Sequence, residues 1–560
     1  MTTFKNATST QIIYLLLSCF LIAGCSDNSS NNRPLKETVK GDVRSDELTD
    51  TGNWFTKDPI LNGFEGTSSE RAITELKLTH PRQIIVAVLD SGVDIKHEDL
   101  QGKIWQNPGE IGIDSNGNDK ATNKIDDDLD GYIDDVNGWN FLGAADGRNV
   151  EIDTLEITRE AARYDKLLAA GTKLSESEIK YYEQIKLDFE NEVKSATAQL
   201  AALSPTNEKA TAAILVLKKI LNLTDLSKDS LTAITSNDPE VLIAKADLLE
   251  VIQVYRTVPR FFRIFNTLKN DIDYFLNKSY NSRALVGDDP DDFSQIHYGN
   301  NDVTGPDSSH GTHVAGIIAA SRNNGIGIDG VSENTKIMVL RVVPNGDERD
   351  KDIALAVKYA ADHGANIINM SFGKNYSPHK DKIDAAFLYA ASKNVLIVHA
   401  AGNGASDNDK IVGYPNRTVA GALITNSDLE ISTWLEIGAS TKTKGPQLVA
   451  GFSDYGKKDV DLFSPGFEIK STTPNNTYSV FSGTSMAAPV ATGVAALLMS
   501  NIPQMTGVLA KNLILKHVRL YDSLLVQLPG ASANAPLMPF ADLSATGGII
   551  DAYNLFQSTL

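Results

Sequence analysis

The segment SHGTHVAG, residues 309 to 316, places His310 and His313 three residues apart among small residues. Two imidazoles at this spacing could bind a metal ion, could supply one catalytic base beside a bystander, or could both be structural. The sequence disfavours a metal, because it has no HExxH motif and no third ligand at a suitable spacing. The pair also opens a run of small residues typical of a packed helix. The other two alternatives stay open on these residues alone.

Two further segments place polar residues where chemistry could occur. VAVLDSGVD has Asp90 after an apolar run, and FSGTSMAAPVATG has Ser485 behind Gly483, at the start of a helix of small residues. The glycine favours a tight turn that exposes the hydroxyl, Pro489 is expected in the first helical turn, and a helix N-terminus favours developing negative charge. Taken singly, each has an ordinary explanation: a turn aspartate, a helix-start histidine at 310, an N-cap serine.

Together, and in the order Asp, His, Ser, the three segments closely resemble the motifs of the subtilisin-like serine proteases (subtilases). The resemblance covers roughly residues 53–150 and 286–560. It implies that Ser485 attacks the scissile carbonyl, that His310 is the general base, and that Asp90 orients and stabilises the imidazole.

The same resemblance implies roles for neighbouring residues. It makes His313 structural, and it makes Asn403, in HAAGNGA, an oxyanion-hole donor beside the Ser485 backbone N–H. It also implies two segments that line the S1 pocket and pair with an extended peptide. Their residues are Ser371, Phe372, Gly373, Ala400, Ala401 and Gly402.

The elements that must position these residues alternate along the chain. The aliphatic runs in RQIIVAVLD, TKIMVLRVV, ANIINMSFG and NVLIVHAAGN predict buried parallel strands, and DIALAVKYAADHG and KIDAAFLYAASK predict helices between them. This alternation predicts an α/β fold with a parallel sheet, and the resemblance implies the three-layer subtilisin-like form. Asp90, Ser371 and Asn403 follow strand runs, and chemistry in such sheets gathers at strand carboxyl ends.

Residues 151–285 interrupt the alternation and are rich in Lys, Glu, Leu and Ala. A capping box at Ser175 to Glu178, and Asp238 followed by Pro239, predict helix starts. We interpret the segment as an inserted α-helical subdomain of packed helices, and not as a coiled-coil arm, because no heptad pattern persists. Asp90 and His310 are 220 positions apart, far more than in compact subtilases, and the insertion accounts for the excess. We expect it to restrict substrates or to bind a partner.

An Asp-rich loop, NKIDDDLDGYIDDVNGWNF, is a candidate calcium site. Its D-x-D-x-D-G spacing, with a glycine for the sharp turn, places alternate carboxylates around a hard cation. Position twelve is Asn137 and not glutamate, so the loop is not a full EF-hand, and an acidic solvated loop is the alternative. The predicted ligands of a structural calcium ion are Asp126, Asp128, Asp130 and Asp134.

The beginning of the chain has the features of a targeting signal. Lys5 precedes the apolar stretch QIIYLLLSCFLIAG, and LIAGC resembles the bacterial lipobox. We expect residues 1–24 to be removed, Cys25 to carry lipid, and residues 25–52 to form a flexible tether. The protein would then be anchored outside the cytoplasm to a bacterial cell membrane, at the periplasm or cell surface. An ordinary secretory signal or a short membrane anchor is the alternative.

Two further expectations follow from this region. Cys19, the other cysteine of the chain, lies in the removed segment, so disulfides and Cys-based zinc sites are excluded from the rest. The polar stretch 26–52 is too short to bury a core, so we expect no folded inhibitory propeptide of the kind usual in secreted subtilases.

The composition of the chain excludes some classes of binding partner. The chain has 560 residues, 42% of them hydrophobic and 22% charged, and a formal net charge of -19. Such a balance without a long basic cluster argues against nucleic acid as a partner, since nothing would neutralise phosphates. The leading interpretation is a calcium-binding serine endopeptidase that acts on peptides or proteins. The alternatives are a catalytically idle subtilase-fold binding protein and a peptide ligase or cyclase.

Overall fold

A computed structural model describes residues 52–419 and 429–560. The signal segment, Cys25 and the tether lie outside the described residues, so the expectations about them stay predictions. The described chain divides into two compact units. One contains the residues up to Glu151 and from Ser282 onward, and the other is Ile152–Asn281, which lies within the range 151–285 of the expected insertion.

The first unit is built on a nine-stranded sheet with the order β10-β13-β7-β6-β5-β4-β1-β3-β2, in which every pair except β10–β13 is parallel. Two antiparallel hairpins, β8–β9 and β11–β12, lie outside it. The strands are β1 (Ile84–Asp90), β2 (Gly138–Asn140), β3 (Thr335–Arg341), β4 (Ile367–Met370), β5 (Leu396–Ala400), β6 (Trp434–Ser440), β7 (Leu462–Pro465), β8 (Ile469–Thr473), β9 (Thr477–Phe481), β10 (Arg519–Leu520), β11 (Leu525–Val526), β12 (Met538–Pro539) and β13 (Gly548–Ile549).

The helices of both units are numbered along the chain. They are α1 (Ser69–Glu75), α2 (Glu156–Ala169), α3 (Glu176–Leu221), α4 (Lys228–Ala233), α5 (Pro239–Tyr255), α6 (Val258–Asn270), α7 (Arg283–Val286), α8 (Ser309–Ala319), α9 (Asp350–Asp362), α10 (Lys380–Ser392), α11 (Thr484–Asn501), α12 (Gly507–Lys516) and α13 (Ala552–Thr559). Short 3₁₀ turns occur at Trp54–Thr56, Glu98–Leu100, Lys120–Thr122 and Phe540–Asp542, and a π turn at Asp271–Phe275.

Both faces of the sheet are buried, and this makes the first unit a three-layer α/β structure. In β1, Val86 and Val88 belong to the apolar cluster that α8 and α11 cover, while Ala87 and Leu89 belong to the cluster on the opposite face, under α9 and α10. Successive side chains of a strand point to opposite faces, so a continuous apolar run is what a doubly covered strand requires. The predicted fold class is confirmed.

The second unit packs α3 to α6 around an apolar core of its own, which includes Leu217, Leu248 and Phe261. The capping box that the sequence predicts is present, since Ser175 accepts the backbone N–H of Glu178 and the Glu178 carboxylate accepts that of Ser175. Packing between helices, and not a single exposed arm, is therefore what stabilises this unit.

None of the helices within 52–419 and 429–560 combines the length and the apolar character that crossing a lipid bilayer requires.

Candidate active site

Asp90 and His310 meet at the carboxyl end of β1. The Asp90 side chain is 2% exposed, and its Oδ1 accepts the Ser91 backbone N–H at 2.7 Å and lies 2.8 Å from His310 Nδ1. His310 is the second residue of α8, and Gly311 lets that helix approach β1 closely: a Cβ there would lie 2.1 Å from the Gly92 carbonyl oxygen. The contact orients the imidazole through Nδ1.

Ser485 is the second residue of α11 and is 5% exposed. Its Oγ donates to the Ser371 carbonyl at 3.1 Å, and the Ser371 hydroxyl donates to the Ser485 carbonyl at 3.0 Å. These reciprocal bonds tie the start of α11 to the segment that follows β4. Ser371 is held in turn by the Asn369 amide, which donates to its Oγ at 3.0 Å.

Two expectations about the start of α11 are wrong. Pro489 is the sixth residue of the helix and lies in its second turn, because α11 begins at Thr484. A proline there supplies no N–H to the carbonyl four residues earlier, which is that of Ser485. The Ser371 hydroxyl supplies this missing donor. Gly483, for its part, has extended backbone, with φ 169°, so no left-handed conformation explains a glycine at that position.

Asn403 lies beside the first residue of α11. Its Oδ1 accepts the Thr484 backbone N–H at 2.8 Å and the Thr484 hydroxyl at 3.2 Å. With the amide oxygen turned toward the helix, Nδ2 is the group that can donate to a ligand. This orientation is what an oxyanion-hole amide next to Ser485 needs.

Asp90, His310, Ser485 and the segment Ser371–Gly373 line one concave pocket. Ala400 ends the neighbouring strand β5, and Ala401 and Gly402 follow it, but none of the three is among the residues that line the pocket in the described structure. Their main chain is bonded elsewhere: Ala401 N–H donates to the Ile437 carbonyl, and Gly402 N–H to the Thr484 hydroxyl at 3.1 Å.

The pocket also contains charged residues that sequence reasoning did not find. Four carboxylates besides Asp90 line it, and we call them the acidic pocket residues: Glu151, Asp307, Asp347 and Glu348. Arg341 lines it as well, but this side chain is buried and donates to neutral oxygens of Ser91, Asn140 and Val150. Burial lowers the pKa of Arg341 to about 10. No local pattern could have revealed this set, because its members come from three separate segments of the chain.

His313 is buried within the fold and is not among the residues that line the pocket in the described structure. Its Nε2 lies 3.1 Å from the carbonyls of both Ile469 and Ser479, and its ring stacks on Phe481 at 4.3 Å between centroids. Burial lowers the pKa of His313 to about 3, so the imidazole is neutral. It therefore links α8 to the β8–β9 hairpin and does not form a metal pair with His310.

The Asp-rich loop brings only part of the predicted calcium set together. Glu110, Asp126 and Asp128 offer carboxylate oxygens within 4.8 Å of one another, as do Asp128, Asp130 and His363 in a second group. Asp134 belongs to neither group in the described chain, and its carboxylate accepts the Lys124 backbone N–H at 3.1 Å.

Glu110 and His363 were missed by sequence reasoning because both lie outside the loop. Glu110 is fully buried; its Oε1 accepts the backbone N–H groups of Asp127 and Asp128, and burial raises its pKa. His363 Nε2 lies 2.9 Å from Asp130 Oδ2, a contact that raises the histidine pKa although burial by itself lowers it.

Comparison with known proteins identifies the class. The sequence profile of the subtilase family matches residues 82–532, so the chain belongs to the subtilase family. It is 40% identical over 195 residues to the thermophilic serine proteinase of Bacillus sp. (strain AK1), which is 34% of this chain and 43% of that protein. To thermitase of Thermoactinomyces vulgaris it is 36% identical over 194 residues, 34% of this chain and 62% of that protein.

Among solved structures, the chain resembles a cold-adapted subtilisin-like serine proteinase at 27% sequence identity, with a TM-score of 0.33. The match covers 43% of this chain and 80% of that one. The chain thus spans between 43% and 62% of the length of the two relatives named above.

Proposed function

We propose that this protein is a serine endopeptidase that hydrolyses peptide bonds of peptides or proteins. The observation that carries the proposal is the 2.8 Å contact between Asp90 and His310 in the pocket that Ser485 lines. A serine at a helix start, a histidine oriented by a buried carboxylate, and an amide donor beside the serine are the parts that acyl transfer needs.

Four residues carry out the proposed hydrolysis. Ser485 Oγ attacks the scissile carbonyl while His310 Nε2 takes its proton, and Asp90 stabilises the imidazolium through Nδ1. The oxyanion that forms accepts hydrogen bonds from the Ser485 backbone N–H and Asn403 Nδ2. His310 next donates its proton to the leaving amine, and the acyl-enzyme is hydrolysed when His310 activates a water molecule.

The test is covalent labelling with a fluorophosphonate probe together with hydrolysis of a peptide library. Ser485→Ala should abolish labelling, and His310→Ala should lower kcat about 10⁶-fold with the fold retained. Ser482→Ala, a change three residues from the nucleophile, is the matched control and should label normally. If the folded wild-type protein is not labelled and does not hydrolyse peptides, it is a catalytically inactive binding protein. If the product masses show that peptide fragments have been joined, it is a ligase.

We also propose a structural calcium ion at Glu110, Asp126 and Asp128. These residues offer a hard, all-oxygen ligand set, which calcium prefers. The buried Oε2 of Glu110 has no hydrogen-bond partner among the described residues, so a cation would satisfy it. We expect calcium to raise Tm and chelation to lower it, with the response lost in Glu110→Gln and kept in Asp114→Asn. An unchanged Tm after chelation would refute the site.

Finally, we propose that the protein is a lipoprotein anchored through Cys25 to a bacterial membrane, outside the cytoplasm. The support is the sequence LIAGC followed by a polar tether. Cys25→Ala should release the protein from the membrane fraction and remove lipid mass from the mature N-terminus. Cys19→Ala is the matched control and should leave both unchanged, whereas continued membrane association of Cys25→Ala contradicts lipidation.

A further inference from the structure

Another histidine–carboxylate pair, besides Asp90 and His310, is buried beneath the segment Ser371–Gly373. His399 in β5 and Glu436 in β6 are direct partners in the parallel register of these strands. His399 Nδ1 lies 2.8 Å from Glu436 Oε1, and His399 Nε2 lies 2.8 Å from the Phe372 carbonyl oxygen. Both side chains are almost completely buried.

The hydrogen-bond partners of His399 determine which of its ring nitrogens carries a proton. The Phe372 carbonyl can only accept, so His399 Nε2 must carry a proton. The contact between His399 Nδ1 and the Glu436 carboxylate contains one further proton, which is bonded either to Nδ1 or to the carboxylate oxygen. The other Glu436 oxygen accepts the Trp434 indole N–H at 2.6 Å, so the carboxylate is itself fixed. Glu436 therefore orients His399 as a donor to Phe372, in the way that a carboxylate orients a catalytic histidine.

The Phe372 carbonyl lies within the segment Ser371–Gly373, which follows β4 and lines the active-site pocket. Within this segment the Ser371 carbonyl accepts the Ser485 hydroxyl at 3.1 Å, while the carbonyl of the next residue, Phe372, faces His399 instead. Lys374, directly after the segment, pairs in both directions with Tyr414, at 2.8 and 2.9 Å. Phe372 is thus the residue through which His399 holds the segment between these two attachments.

We propose that His399 is a positioning residue for substrate binding. Its Nε2–H, oriented by Glu436, holds the Phe372 carbonyl against the sheet, so that Ser371 and Gly373 present their main chain to an extended peptide. This inference rests on the proposed peptidase function. It concerns recognition of the peptide main chain, and not the nucleophilicity of Ser485.

The experiment uses the full chain in a Glu436→Gln background, because removing His399 alone would leave a buried carboxylate without its partner. In this background, His399→Leu removes the donor, and His399→Gln restores a side-chain N–H. The readouts are kcat and KM for an extended tetrapeptide and for a one-residue ester, and the rate of fluorophosphonate labelling. Peptide affinity is measured separately in Ser485→Ala versions of the same proteins.

The Glu436→Gln protein is the parent with which both His399 variants are compared. In this parent the substituted amide can accept the Trp434 indole N–H through its oxygen and donate to His399 Nδ1 through its nitrogen, so that Nε2 stays the donor to Phe372. His399→Leu should weaken tetrapeptide binding and raise its KM about tenfold, while ester hydrolysis and labelling change less than about twofold. His399→Gln should recover most of the loss. Equal losses on every substrate, or a tetrapeptide affinity that His399→Leu leaves unchanged, overturn the proposal. Because affinity is read without turnover, a wild-type protein that fails to hydrolyse peptides refutes the peptidase function separately from this inference.

Discussion

Below pH 6.5, we expect the unfolding free energy to fall because His313 must stay neutral in the folded protein. This imidazole is completely buried between α8 and the β8–β9 hairpin, and its pKa is lowered by burial to about 3. In the unfolded chain the same group has its ordinary pKa of about 6.5. Between these values the unfolded state binds one proton that the folded state does not.

The sign and size of the effect follow from this difference. Stability from the neutral imidazole is fully present above about pH 6.5 and is lost as the pH falls toward about 3. Each pH unit within this window costs about 1.4 kcal/mol, so the loss between pH 6.5 and pH 5 is about 2 kcal/mol. That amount is a large fraction of the stability of a typical domain.

The assay is denaturant unfolding at pH 5, 6, 7 and 8, in a Ser485→Ala background to prevent self-cleavage. His313→Gln is the informative variant, because an amide can still donate to the Ile469 and Ser479 carbonyls but does not titrate. We expect the decrease in unfolding free energy between pH 7 and pH 5 to be about 2 kcal/mol smaller in this variant. His517→Gln, which removes a histidine from outside this packing, is the control.

An identical pH dependence in His313→Gln and its parent would refute this reasoning. It would mean that His313 takes up its proton without unfolding, and hence that the hairpin opens to solvent in acid.

Three further predictions concern the active site. Ser371→Ala should lower stability by about 1–2 kcal/mol in thermal unfolding, because the carbonyl left without a donor by Pro489 then has no hydroxyl to bond. Asn403→Ala should lower kcat about 100- to 1000-fold, the range known for the corresponding asparagine of subtilisin, with KM little changed in steady-state kinetics. Peptides that carry Lys or Arg near the scissile bond should be cleaved about three- to fivefold better than matched Glu peptides, because of the acidic pocket residues. Asp347→Asn or high salt should reduce that ratio, and a ratio near one in the wild type contradicts it.

Much of the fold follows from local sequence. Runs such as IIVAVL are apolar on both faces, and in a chain of alternating strands and helices only a doubly covered parallel sheet buries them. Capping residues such as Ser175 and Asp238 act within one helical turn, so their neighbours are enough to predict them, and both caps are present. The motifs around Asp90, His310 and Ser485 also remain recognisable at any separation along the chain, because each carries its own strand end or helix start.

Only the tertiary structure determines the contacts between residues that are distant in sequence, because strand order and loop packing bring these residues together. Glu110 joins Asp126 and Asp128 only because its own loop folds back under theirs, while Asp134 turns to the main chain instead. The Ser371 hydroxyl compensates for Pro489 because β4 ends beside α11. His399 finds Glu436 because β5 and β6 are adjacent and in register. Sequence periodicity specifies which face of an element is buried, but the partner across that face depends on which elements become neighbours, and only the folded chain determines that.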